Sequence, residues 1–317
     1  MSPRPSKSRR SPAPSAVAGG DARLPYDLWQ RFPDARGSLG WLRAAAEGGH
    51  VEAQAAIGWH YHSDARPKRR DLAVRWWRLA AAQGHAETAN FLGELLRDGD
   101  GVPRNDREAY EWFLAAAKLG SSVAQLNLGV AQFEGRGVAQ DMGAALRWYR
   151  KAARQGPYRG AAMGNIGHMY RMGDGVEQSW PRALAWYRKG AAINHVASLH
   201  WLGRIFNGHE AYPANHRAAV KWLTLAADQG DAESQCDLGV RWFNGEGVPQ
   251  DRRRAARLYR AAAEQDDSWA CYLLGLCYRD GEGVRRNRRA ARSWFQRAAD
   301  AGESKARAAL LGLESDA

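Results

Sequence analysis

A chain of 317 residues, 45% hydrophobic and 25% charged, has the balance of a folded globular protein with ample material for a core. No run of eighteen apolar residues occurs, which argues against a membrane-spanning helix, and three cysteines cannot build a disulfide framework. The formal charge of +12 rests on 46 basic residues, mostly Arg, and permits acidic partners without dictating a fold.

Residues 1–22 are rich in Pro, Ser and Arg and offer almost nothing to bury, so a disordered basic tail is predicted there. Ser8-Arg9-Arg10 resembles the start of an export signal, but Pro12, Pro14 and only Ala16-Val17-Ala18 follow. Export is therefore not expected, and the predicted location is cytoplasmic. A lead-in segment and a capping helix are assigned to residues 23–50.

From residue 51 the chain repeats itself. A Gly preceded by Ile or Leu recurs as Gly58, Gly93, Gly129, Gly167, Gly203, Gly239 and Gly275, at steps of 35, 36, 38, 36, 36 and 36. A second column keeps the same period: Trp41, Trp76, Trp112, Trp148, Trp186, Trp222, Leu258 and Trp294. Each unit reads as two helices. Helix A carries the Ile/Leu-Gly pair, with the Gly allowing close approach of its partner. A Gly-x-Gly-Val loop follows, as in Gly135-Arg-Gly-Val138, and its glycines suit a helix C-cap better than a phosphate cradle.

Helix B begins at a capping column, Asp34, Arg69, Asn105, Asp141, Ser179, Asn215, Asp251 and Asn287, in which only Arg69 is a poor cap. Its Trp column is predicted to fill the gap between neighbouring units. Gly49, Gly84, Gly120, Gly156, Asn194, Gly230, Asp266 and Gly302 end it, Asp266 being the least suited.

The Leu-Gly pair, the Gly-x-Gly-Val loop and blocks such as Ala144-Ala-Leu-Arg-Trp148-Tyr-Arg-Lys-Ala-Ala153 resemble the Sel1-like repeat, a branch of the tetratricopeptide-like family. The resemblance covers residues 38–313. It implies an all-α, right-handed α-solenoid of seven helix-turn-helix repeats over 51–302, closed by a capping helix and tail over 303–317. On that reading the array has no internal boundary, although two extra residues near Pro157–Gly160 should disturb it locally. The first unit departs from the pattern at Ser63–Pro67 and the fifth at Gly208–Ala211.

No catalytic constellation is visible. His60/His62 and His195/His200 lack the i,i+4 spacing of metal ligands, and Cys236, Cys271 and Cys277 form no Cys-x-x-Cys. No metal or cofactor is expected. Some family members are described as binding or hydrolysing β-lactams, but these carry paired cysteines and an export signal. An enzyme is therefore the less favoured alternative to a non-enzymatic scaffold.

By resemblance to tetratricopeptide repeats, helix A lines a concave face that takes a protein partner. Its exposed columns supply Trp59, Asn90, Glu94, Arg97, His168, Arg171, His200, Arg204, Asn207, Tyr272 and Arg279. That basic and aromatic mixture suits an acidic peptide segment, because Arg binds carboxylates bidentately. Arg252-Arg253-Arg254 and Arg285-Arg286-Arg288-Arg289 predict a positive patch on one edge. Nucleic-acid or other polyanion binding there is the alternative, without a recognised motif or stacking platform to support it. Trp29, Trp59, Trp180, Trp201 and Trp269 fall outside the core columns.

Overall fold

The computed structural model describes residues 22–33, 37–64, 69–208 and 212–315. The predicted tail up to residue 21, the Asp34 cap and most of the two departing loops lie outside them. Among the described residues the fold is all-α, built from seventeen α-helices.

The chain divides into two compact units, residues 1–158 and 159–317. The division falls at the two extra residues near Pro157–Gly160. The first holds α1 (Arg23–Arg31), α2 (Ser38–Glu47), α3 (Val51–Trp59), α4 (Arg70–Ala82), α5 (Ala86–Asp98), α6 (Asp106–Lys118), α7 (Ser122–Glu134) and α8 (Met142–Ala152). The second holds α9 (Arg159–Met172), α10 (Trp180–Ala191), α11 (Val196–Phe206), α12 (His216–Ala227), α13 (Ala232–Asn244), α14 (Arg252–Ala263), α15 (Ser268–Asp280), α16 (Arg288–Asp300) and α17 (Ser304–Ser315). Within each unit every helix packs on the next in the chain.

The helices stop and start where the side chains allow. Six predicted caps, Asn105, Asp141, Ser179, Asn215, Asp251 and Asn287, accept a hydrogen bond from the amide three residues on. Arg69 makes no such bond, and α3 runs on into a π turn at His60–Asp64. Asn194 and Asp266 both take positive φ at the end of helix B, as the glycines of that column do. Asp266 is held there by Arg297, whose Nη2 lies 2.6 Å from its carboxylate.

In the Gly-x-Gly-Val loops the second Gly is a contact residue. A Cβ at Gly137 would lie 2.0 Å from the carbonyl oxygen of Asp106, in the first turn of the preceding repeat's helix B. Helix A has its own capping column, which the sequence reading did not single out. Its members include His50, His85, Ser121, Asp231 and Asp267, each accepting from an amide.

The core corrects one expectation. The residue that fills each repeat is the one after the Trp column: Trp77, Phe113, Tyr149, Tyr187, Leu223, Tyr259 and Phe295, none more than 3% exposed. Each sits in the notch left by the helix-A Gly. A Cβ at Gly58 would come within 2.4 Å of the Trp77 indole, and one at Gly275 within 2.5 Å of Phe295. Except for Trp41, which is fully buried, the tryptophans of the predicted column are half-buried. Neighbouring residues on a helix lie about 100° apart, so only one of the pair can face the notch. The other lies flat under cations: Lys151 is 4.0 Å from the Trp148 ring and Lys189 is 4.1 Å from that of Trp186.

Candidate partner-binding face

In the first unit the predicted face is already satisfied by its own residues. Trp59 packs against Phe91 and Trp77, with ring centroids 4.3 and 4.9 Å away, and so belongs to the margin of the core. Asn90 donates to Glu94 across 3.1 Å. Asn127 on α7 donates to both of them, at 3.0 and 3.2 Å, tying α5 to α7. Arg97 is engaged bidentately by Asp98 at 2.7 and 2.9 Å. That hydrogen bond, more than any other influence, raises the Arg97 pKa and lowers that of Asp98. Arg97 is thus already neutralised.

The second unit contains an opening. Trp201 on α11 lies between two guanidinium groups, with Arg171 Cζ 4.0 Å and Arg204 Cζ 5.6 Å from its ring. Below it the Tyr187 ring stacks at 6.2 Å. Burial pushes the Tyr187 hydroxyl up to about 12, against the opposing influence of Arg171. Arg171, Trp201 and Arg204 line a cavity of about 420 Å³ together with Trp180, Asn207 and Asp237. Arg171 makes no ion pair with any described residue, and Arg204 approaches Asp237 only to 4.0 Å. Burial raises the Asp237 pKa although Arg204 opposes it. Two buried polar atoms here, Arg171 Nε and Asn207 Oδ1, find no hydrogen-bond partner.

The remaining predicted residues are engaged by neighbours of their own chain. His200 is buried, with Nδ1 2.9 Å from Ser234 Oγ and with Asp231 and Glu233 carboxylates at 3.4 and 3.2 Å. It links α11 to the start of α13. Burial alone would raise the Asp231 pKa, but hydrogen bonds from His200 and Ser234 hold it below the ordinary value. His168 lies 3.6 Å from Asp174, its pKa lowered by burial and then by Arg171. Tyr272 stacks on Trp269 at 5.2 Å. Arg279 is engaged by Asp280 at 2.8 and 2.7 Å, repeating the Arg97 pair.

Of the eleven candidates, then, Arg171, Arg204 and Asn207 converge on one cavity, and two of the unassigned tryptophans join them. Trp201 and Asp237 occupy the column two residues before the helix-A Gly, as does Asn127. That column was the available signal for them. Among the described residues no group of three or more His, Cys, Asp or Glu is placed to hold a metal, and no helix is long and apolar enough to cross a membrane.

Helical hairpins in a fixed period of about 36 residues, each closed by a ring seated on a glycine, define a tandem helical-repeat protein. The Sel1 repeat model matches eight segments, 30–50, 51–85, 86–121, 122–157, 160–195, 196–231, 232–267 and 270–303. The chain belongs to the Sel1 repeat family, whose members generally mediate protein–protein interaction and are typically non-catalytic. The first match contains α2, the helix expected from the sequence to be a cap.

A Sel1 repeat protein from Oxalobacter formigenes is 31% identical, covering 93% of this chain and 87% of its own, with a TM-score of 0.80. A protective antigen of uropathogenic Escherichia coli is 25% identical over 96% of this chain and 90% of its own, with a TM-score of 0.42. Cysteine rich protein B of Helicobacter pylori is 25% identical over 43% of this chain and 97% of its own, with a TM-score of 0.35. No curated protein sequence matches the chain.

Proposed function

We propose that this chain is a non-enzymatic scaffold that holds an acidic segment of a protein partner on its helix-A face, anchored at the Arg171–Trp201–Arg204 cavity. The observation that carries this reading is the Arg171 guanidinium. It is stacked on Trp201 and makes no ion pair with any described carboxylate, beside an open cavity. A cation pre-oriented on an aromatic plane meets an incoming carboxylate at little further cost in side-chain entropy. The three cysteines are buried and unpaired, which supports a reducing compartment, the cytoplasm.

The test is titration of a labelled peptide rich in Asp and Glu against the full chain and against R171E/R204E. Binding should weaken by about tenfold or more in the variant, with helical content unchanged. Equal binding by the two proteins defeats the assignment.

A further inference from the structure

The two arginine clusters of the second unit meet at a cleft separate from the face described above. It has a volume of about 910 Å³ and is lined by Trp242, Arg252, Arg253 and Arg285, with Asp251 and Gln250 at its wall. This volume lies toward the upper end of the range for small-molecule sites. The cleft is formed by the start of α14 and by the Gly281–Val284 loop, which sits against that helix start: a Cβ at Gly283 would lie 2.0 Å from the Arg252 carbonyl oxygen.

The charges around the cleft do not cancel. Arg252 is paired with Glu282 at 2.9 Å, and Asp251 is turned to cap α14 through the Arg254 amide at 2.9 Å. Arg253 and Arg285 are exposed and make no ion pair with any described residue. The first turn of α14 contains no acidic residue, so these cations stand where the helix dipole adds further positive potential. Trp242, in the same wall, has a buried Nε1–H with no acceptor. The cleft therefore presents donors and positive charge and needs oxygen acceptors.

Its aromatic planes are already taken. The Arg254 guanidinium lies 3.9 Å from the centroid of Trp242, and that of Arg252 lies 5.3 Å from Phe243. Each ring thus already carries a cation, which competes with the base stacking that single-stranded nucleic acid asks of its binding groove. A ligand here is recognised by its anionic oxygens alone. We infer that this cleft binds a compact polyphosphate anion, held chiefly by Arg253 and Arg285, each suited to bidentate contact with phosphate.

Tripolyphosphate, titrated calorimetrically into the full chain at low ionic strength, is the probe. Saturable binding at one site is expected, and R253E/R285E should weaken it by about tenfold or more. ATP should bind through the same arginines no more tightly than tripolyphosphate. R171E/R204E should bind the anion as the unaltered protein does, which separates this inference from the proposed function. If the charge-reversal variant unfolds early in a thermal melt, R253A/R285A serves in its place and must also lose affinity. Three outcomes overturn the inference: no saturable binding, equal affinity in both arginine variants, or a short oligonucleotide binding more tightly than tripolyphosphate through the same residues.

Discussion

The two units share an interior and differ in the face they present. Inside, each seats an aromatic or Leu side chain of helix B against a helix-A Gly, as Trp77 does on Gly58 and Phe295 on Gly275. On the helix-A face of the first unit, Asn90, Glu94 and Asn127 bond to one another and Arg97 is held by Asp98. In the second unit, Arg171 and Arg204 flank Trp201 beside an open cavity. A repeat fixes where a column points; the neighbouring side chains decide whether its charge is spent internally or left for a ligand.

The likeness of the interiors is broken most severely at the seated rings. W77A and F295A should each cost about 3–5 kcal/mol in urea unfolding followed by circular dichroism. W148A, in the half-buried column, should cost only roughly 1–2 kcal/mol. Equal losses for W77A and W148A would return the tryptophan column to the core.

The contrast between the faces is tested by binding. R97E/R279E should leave acidic-peptide affinity within about twofold, where R171E/R204E loses about tenfold. If both pairs lose affinity equally, the two units' faces are equivalent. Smaller again is the effect of the caps, where N105A and D251A should each cost about 1 kcal/mol, one in each unit, by the same unfolding measurement.

The smallest expected effect is a pH dependence carried by two histidines of the second unit. Burial lowers the pKa of His195 below 6.5, and that of His168 is lowered by burial and then by Arg171. At these two histidines the unfolded chain binds protons more readily than the folded one as pH falls below 6.5, so their contribution to stability is complete above that value and declines toward the folded pKa values. Urea midpoints should drop between about pH 7.5 and about pH 5, and H195Q should flatten part of that slope.

Much of this was legible in the residues. The Ile/Leu-Gly pairs, the capping Asp and Asn residues and the loop glycines each answer to a single local requirement, and the helices follow them. What escaped were choices between equivalent neighbours. Trp76 and Trp77 are both large and apolar, and only the packed structure shows which turns toward Gly58. His200 looked exposed by its column because its partners, Asp231, Glu233 and Ser234, lie on the next repeat. One signal was present but unused: Arg97 and Arg279 are each followed by Asp, whereas Arg171 and Arg204 are followed by Met172 and Ile205. Side chains one residue apart on a helix rarely meet, yet just before a terminating Gly they do here.

The second glycine of the connecting loop carries a further consequence. Gly137 lies against the opening turn of α6, and Gly101 lies against the Arg70 side chain at the opening turn of α4. These two loops therefore dock on equivalent platforms supplied one repeat earlier. Removing residues 86–121 as a cassette would join His85 to Ser122, give α7 a histidine cap in place of Ser121, and present Gly137 with the Arg70 turn that Gly101 now occupies. The first unit is modular at this loop joint, although the bonds of Asn127 to Asn90 and Glu94 would be lost with the cassette.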